Sequence, residues 1–113
     1  MLPLSKEQAV HLKELNNNQC SLLKVGILEV MAICYLDTLY IYENTCPHQN
    51  KALICPSSSC FDETFSLIEC QSHGAQFLPM NGLCVAGPCI GKQLVGYHLK
   101  QFKNTYYLQK KLS

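Results

Sequence analysis

The sequence predicts an all-β fold, and three observations predict it. From Ser21 onward the chain breaks into short runs rich in β-branched, aromatic and large apolar residues. Turn-formers punctuate those runs: Gly26, LDT (36–38), Asn81-Gly82 and Lys103-Asn104. The 113-residue length suits one domain with a modest core. Many short strands with frequent turns mean a small antiparallel β-sandwich or barrel, with residues 1–113 forming a single domain.

Each element has its own justification. SKEQAVHLKEL opens as a short N-terminal helix. Ser5 caps it, Gln8 sits at the capping-box position, and Val10, Leu12 and Leu15 fall near helical spacing. NNNQ (16–19) then stops it. SLLKVG, EVMAICY and TLYIYEN follow as consecutive antiparallel strands, and FSLIE (65–69) is a strand leading into Cys70. GAQFL and LCVAG are expected to form a hairpin with a tight turn at Asn81-Gly82, and LVGYHLKQF and TYYLQKK repeat the pattern. Residues 45–64 are strand-poor, so TCPHQN (45–50) projects as a loop from a β scaffold, where a rigid fold usually carries function.

Composition excludes several functions. Net charge is +1 with His neutral, and Lys and Arg are few, so no nucleic-acid partner is expected. No apolar run reaches membrane-spanning length, and the first residues break quickly into charge, unlike a secretory signal. The expected setting is cytoplasmic, with no membrane partner. Eight Cys then point to metal ligation or free thiols rather than a disulfide scaffold. Of the four His, only His48 and His73 lie near Cys at ligand spacing; His11 and His98 are expected to be structural or on the surface.

Those two His define the chemistry. Cys46-Pro47-His48 is a C-x-H pair, and Cys70-Gln71-Ser72-His73 is a C-x-x-H pair. Two Cys and two His can bind one tetrahedral Zn²⁺, but zinc fingers group a Cys pair and then a His pair. Here each loop is mixed. A Rieske-type [2Fe-2S] cluster needs two Cys on one iron and two His on the other, which two mixed loops meeting at their tips supply. Pro47 fixes φ between two candidate ligands. Gly74 lets the backbone approach the cluster sulfides, Phe77 is a candidate apolar plug, and Gly87-Pro88 is a rigid turn that could cover the cluster from a third side.

At these residues the chain resembles the Rieske iron–sulfur family, particularly its small soluble ferredoxins. The resemblance spans roughly Ser21 to Lys110, with the cluster-binding loops at about 44–90. It implies a β-sandwich of small antiparallel sheets with an inserted cluster-binding subdomain. It further implies one [2Fe-2S] cluster held by Cys46, His48, Cys70 and His73, and one-electron transfer as the activity. The high-potential branch carries an extra Cys in each loop, joined as a disulfide; Lys51 and Ser72 stand at the corresponding positions here. That branch also places hydroxyls beside the cluster sulfur, where this chain has Ala75 and Phe77. Fewer hydrogen bonds to sulfur lower the potential, so the expected value lies at the low end of the Rieske range, about −150 mV. The chain departs from the ferredoxins in two respects. Gln71 replaces the usual Pro, and the stretch between the ligand pairs carries a surplus, ICPSSSCFDETFS (54–66).

The remaining cysteines admit two readings. Cys55 and Cys60 bracket PSSS, and Cys84 and Cys89 bracket VAGP. They could form a second metal site or disulfides, with Cys55–Cys60 bracing the insertion. Reduced thiols are the expectation, and Cys20 and Cys34 are expected to be plain core or near-core residues. FDET (61–64) is either an acidic docking patch or a solvated turn. The function expected is a monomeric electron carrier rather than an enzyme in its own right. A flavin-dependent reductase would be its donor and an oxygenase or hydroxylase its acceptor. The alternatives are a Rieske small subunit of a larger, nitrite-reductase-like reductase, and a structural zinc or metal-sensor module. A catalytic oxygenase subunit would need a second iron site of two His and one carboxylate, for which no residues remain.

Overall fold

Hairpins build the larger of two sheets, as the strand pattern predicts. The structure, a computed structural model, describes residues 2–45, 47, 60–64, 66–70 and 74–111. Strands β2 (Gln19–Val25), β3 (Leu28–Tyr35) and β4 (Thr38–Glu43) form a continuous antiparallel meander. The β3–β4 turn has φ of 50° at Leu36 and 62° at Asp37. Two left-handed residues match the twist of the flanking strands, a conformation Asp tolerates better than Leu. Strands β8 (Gly96–Phe102) and β9 (Thr105–Lys110) form the closing hairpin, turning at Lys103. Strand β1 (Leu2–Pro3), too short to leave a pattern in the sequence, adds to β9. The order is β1-β9-β8-β4-β3-β2, with β4 and β8 joined only at Ile41–Tyr97 and Tyr42–Gly96. A second sheet of three very short strands, β5 (Ile68–Glu69), β6 (Gln76–Phe77) and β7 (Cys84–Ala86), is ordered β5-β6-β7.

Side-chain alternation places the large sheet between two cores. Val30 and Ala32 of β3 face one core with Val25, Ile41, Leu108 and the helix residue Leu12. Met31 and Ile33 face the other, with Tyr42, Phe61, Ile68 and Phe77. All four of these β3 residues are fully buried, so the middle of the strand has no solvent face. Each large apolar side chain buried there contributes about 1.5–3 kcal/mol.

Helix α1 (Lys6–Lys13) has the predicted capping box: the Gln8 N–H donates to Ser5 Oγ at 3.1 Å and the Ser5 N–H donates to Gln8 Oε1 at 3.0 Å. It ends at Glu14, ahead of NNNQ, and Leu15 packs outside it. No helix among the described residues is long and apolar enough to cross a membrane.

Three local expectations change. Among its described residues, FSLIE is a strand only at Ile68–Glu69, because Asp62 turns the chain before it. Asp62 Oδ1 accepts from the Ser66 and Leu67 N–H groups at 3.0 and 3.1 Å, and Oδ2 accepts from the Thr64 hydroxyl at 2.9 Å. GAQFL and LCVAG do pair, Gln76 with Ala86 and Phe77 with Cys84, but not through a two-residue turn. The Leu78 N–H donates to Leu83 O, and the Gly82 N–H to Leu78 O, so residues 78–83 make a wider loop. Third, Cys20 is not a plain core residue and Cys60 is not paired with Cys55: a disulfide joins Cys20 to Cys60 across a sequence separation of 40. Cys20 sits opposite Ile33 in β2 and packs against the core that contains Cys60, which brings the two sulfurs together. A closed loop of that length is worth about 4 kcal/mol on the chain-entropy account. Cys34 is half-buried, and its thiol donates to Asn17 Oδ1 at 3.4 Å.

Candidate metal centre

Strand β5 delivers Cys70 at its end, and a closed turn follows. The Cys70 N–H donates to Ala75 O at 2.7 Å and the Gly74 N–H donates to Cys70 O at 3.0 Å. Gly74 has φ of +68°, which L side chains adopt at a cost, and no described atom lies within 4 Å of where its Cβ would be. Its glycine character therefore serves the turn. Cys70 is 1% exposed and, among the described residues, its thiol has no hydrogen-bond partner. A dry, unsatisfied thiol on a tight turn fits a sulfur ligand for iron.

The other candidate ligands, Cys46, His48 and His73, lie outside the described residues, as do Lys51, Cys55, Gln71 and Ser72. No cluster of three or more metal-binding side chains occurs among the described residues. What the structure does place is the support on either side of the ligand loops. Asn44, buried just before Cys46, donates its Nδ2 to Glu29 Oε1 and its backbone N–H to Glu29 O, both at 2.9 Å. The chain leaving β4 is thereby pinned to β3. Sequence reasoning missed Asn44. Its signal was a turn-favouring amide at the junction of an apolar strand and the ligand loop.

The floor of the site is apolar. Phe77, the expected apolar plug, is fully buried, in register with Ile68 on one side and Cys84 on the other. Ala75 is buried beside it. The third loop presses from above: a Cβ on Gly87 would lie 2.7 Å from Ala75 Cα, and Gly87 has φ of +95°. Close backbone approach is thus the reason for glycine at Gly87. Pro88, next to it, is exposed. The loop's two ends meet, with Cys89 Sγ 3.0 Å from Cys84 Sγ.

The disulfide belongs to this support. Cys60 O accepts the Glu69 N–H at 2.9 Å, so the bond from Cys20 anchors the strand that carries Cys70 to the edge of the large sheet. Gln76 Nε2 reinforces the same strand pair by donating to Glu69 Oε2 at 3.0 Å. Beneath them Tyr42 donates its hydroxyl to Pro79 O at 2.5 Å, and burial, with Tyr40 adding repulsion, holds its phenol far above the ordinary range. At Asp62 slight desolvation acts upward, but the hydrogen bonds from Leu67, Thr64 and Ser66 outweigh it and lower the carboxyl pKa. FDET is accordingly a turn organised by its own aspartate. His11 Nε2 lies 2.7 Å from Ser21 Oγ on the surface, a structural contact.

Comparison with known proteins agrees with this geometry. The family profile described as Rieske [2Fe-2S] domain matches residues 6–104. Among solved structures, the ferredoxin of carbazole 1,9a-dioxygenase from Nocardioides aromaticivorans IC177 superposes with a TM-score of 0.66 at 22% identity, covering 98% of this chain and all of that one. A complex of reduced oxygenase and oxidised ferredoxin in carbazole 1,9a-dioxygenase gives 0.66 at 23% identity, over 89% of this chain and 91% of that one. The terminal oxygenase of carbazole 1,9a-dioxygenase from Novosphingobium sp. KA1 gives 0.68 at 17% identity, over 90% of this chain and 28% of that one. A search of curated protein sequences finds no match.

Proposed function

Because the chain belongs to the Rieske [2Fe-2S] domain family and so carries a Rieske-type cluster, we propose that it is an electron carrier for a terminal oxygenase or hydroxylase. Its donor in this reading is a flavin-dependent reductase, and it acts as a single-domain, cytoplasmic monomer. The observation that carries the proposal is the buried Cys70 thiol, held on a closed turn beside the buried Phe77. A carrier needs a dry ligand loop and no substrate pocket. The structural likeness to dioxygenase ferredoxins, one of them complexed with its oxygenase, supports the choice of acceptor.

In this reading Cys46 and Cys70 would hold one iron of the cluster, and His48 and His73 the other. When bound, the cluster supplies one-electron oxidation and reduction. Asn44 and the Cys20–Cys60 bond set the positions of the two ligand loops, and Phe77 and Ala75 exclude water. Neither of those two buried side chains can donate a hydrogen bond to sulfur, which supports a potential near the low end of the Rieske range, about −150 mV. A cytoplasmic setting also requires the Cys20–Cys60 bond to resist the glutathione pool.

Protein purified without air tests the proposal. It is expected to be red-brown, to hold about two iron and two sulfide per chain, and to bleach on reduction. Stopped-flow mixing of the reduced protein with an oxidised Rieske oxygenase should restore the colour. A colourless zinc protein, or a His48→Ala variant with unaltered ligand-field absorption, overturns the ligand assignment. A midpoint well above zero overturns the low-potential reading alone.

A further inference from the structure

The third loop carries two thiols that neither the ligand set nor the Cys20–Cys60 bond uses. Cys84 is 2% exposed and Cys89 1%. Their sulfurs are 3.0 Å apart, with the Cys89 thiol donating to Cys84 Sγ and the Cys84 thiol to Ala86 O at 3.2 Å. A disulfide needs a separation of about 2.05 Å, so closure is a shift of about 1 Å. The backbone already holds the ends together: the Cys84 N–H donates to Lys92 O, the Gly91 N–H to Cys84 O, and the Lys92 N–H to Cys89 O. The loop so pinched contains Gly87, where an added Cβ would lie 2.7 Å from Ala75 Cα on the turn after Cys70.

We propose that Cys84 and Cys89 form a reversible disulfide that cinches the third loop onto the turn carrying Cys70. The oxidant is a low-molecular-weight disulfide. One cysteine thiolate attacks it, forming a mixed disulfide and releasing one small thiol. The second cysteine thiolate then attacks the protein sulfur of that intermediate and releases the other small thiol. One S–S bond breaks and one forms. The protein gives up two electrons and two protons, and the two leaving thiols take them up. Both sulfurs are buried, so the reagent reaches them when the loop opens locally; the flanking Val85 and Ile90, 41% and 68% exposed, place that loop at the surface. The existence of the bond does not depend on the cluster; its effect on the cluster rests on the carrier reading above.

Peptide mapping of the intact, iron-loaded protein tests both parts. After equilibration with oxidised glutathione, acid quenching and alkylation, the peptide spanning both residues is expected unalkylated and lighter by two hydrogens. After excess dithiothreitol both cysteines should be alkylated. Alkylation of both after oxidation, or a linkage of either to another cysteine such as Cys55, overturns the proposal. Bleaching by an iron chelator should be several-fold slower in the oxidised protein than in the reduced one, and a Cys89→Ser variant should lose that difference. Equal rates in wild-type protein overturn the clamping role. Mapping the wild type decides the bond even if the variant fails to fold, and a mapped bond in protein without iron counts against the carrier reading alone.

Discussion

In the large sheet β2 and β3 stay in register from Gln19–Cys34 to Val25–Leu28, whereas in the small sheet β5 and β6 meet only at Ile68–Phe77 and Glu69–Gln76. The first region is held by continuous ladders and by apolar side chains sorted onto two faces. The second has too few ladder bonds for that. It is held by the disulfide to β2, by the Asp62 carboxylate closing its turn, by the Gly87 approach to Ala75, and by the burial of Phe77. Ladders resist change along their whole length, while pointwise ties fix a short segment at a few places only. The comparison predicts that variants in the small region affect the cluster while leaving the large sheet intact.

The largest effect is expected from Cys70→Ala. It should abolish iron retention and visible absorption while leaving the far-UV dichroism of the large sheet intact. Retained colour would remove Cys70 from the ligand set, and loss of the strand signal would show that the regions are not separable. Replacing Cys20 and Cys60 together by Ala should lower unfolding free energy by about 4 kcal/mol in denaturant titration. An unchanged midpoint would mean that the ladder alone secures the small region.

Tyr42→Phe tests the contact between the regions. Leaving Pro79 O unsatisfied should cost about 1–3 kcal/mol. The variant should also lose an alkaline dependence. The phenol ionises near pH 10 in the unfolded chain but only at higher pH when folded, so its stabilisation is complete below about pH 10 and declines as pH rises above it, by about 1.4 kcal/mol per pH unit. Urea titrations across that window should show the decline in wild type and a shallower one in the variant. The smallest effect belongs to Ser5→Ala, which removes the helix cap at a cost of about 1 kcal/mol and should not alter the visible spectrum.

What the sequence revealed follows the same division. Helix α1 was legible because Ser5 and Gln8 form a capping box that acts locally, and β2, β3, β4, β8 and β9 were legible because each has length enough to show a pattern. Strand β1 leaves no pattern, and β5 and β6 are legible only as parts of the FSLIE and GAQFL runs; their two-residue extent is not, since it is decided by distant partners. The disulfide was illegible because cysteine spacing does not fix connectivity, and Cys20 lies far in sequence from Cys60. At the site, the mixed Cys–His pairs were read as ligands from residue type and spacing. The supporting ties were not foreseen: Asn44 to Glu29, at the exit of β4, and the Cys60 carbonyl to Glu69, on the strand that precedes Cys70, are tertiary contacts with no local signature.

The position of β2 at the end of its sheet has one more consequence. A seven-residue border strand with an open row of backbone groups is a template on which a second molecule can lay a strand. Here the border is guarded. Gln8 Nε2 of the helix takes the Lys24 carbonyl at 2.7 Å, His11 meets Ser21, and Cys20 is tethered to Cys60. The cross-link that anchors the strand before Cys70 thus ends on this same border strand.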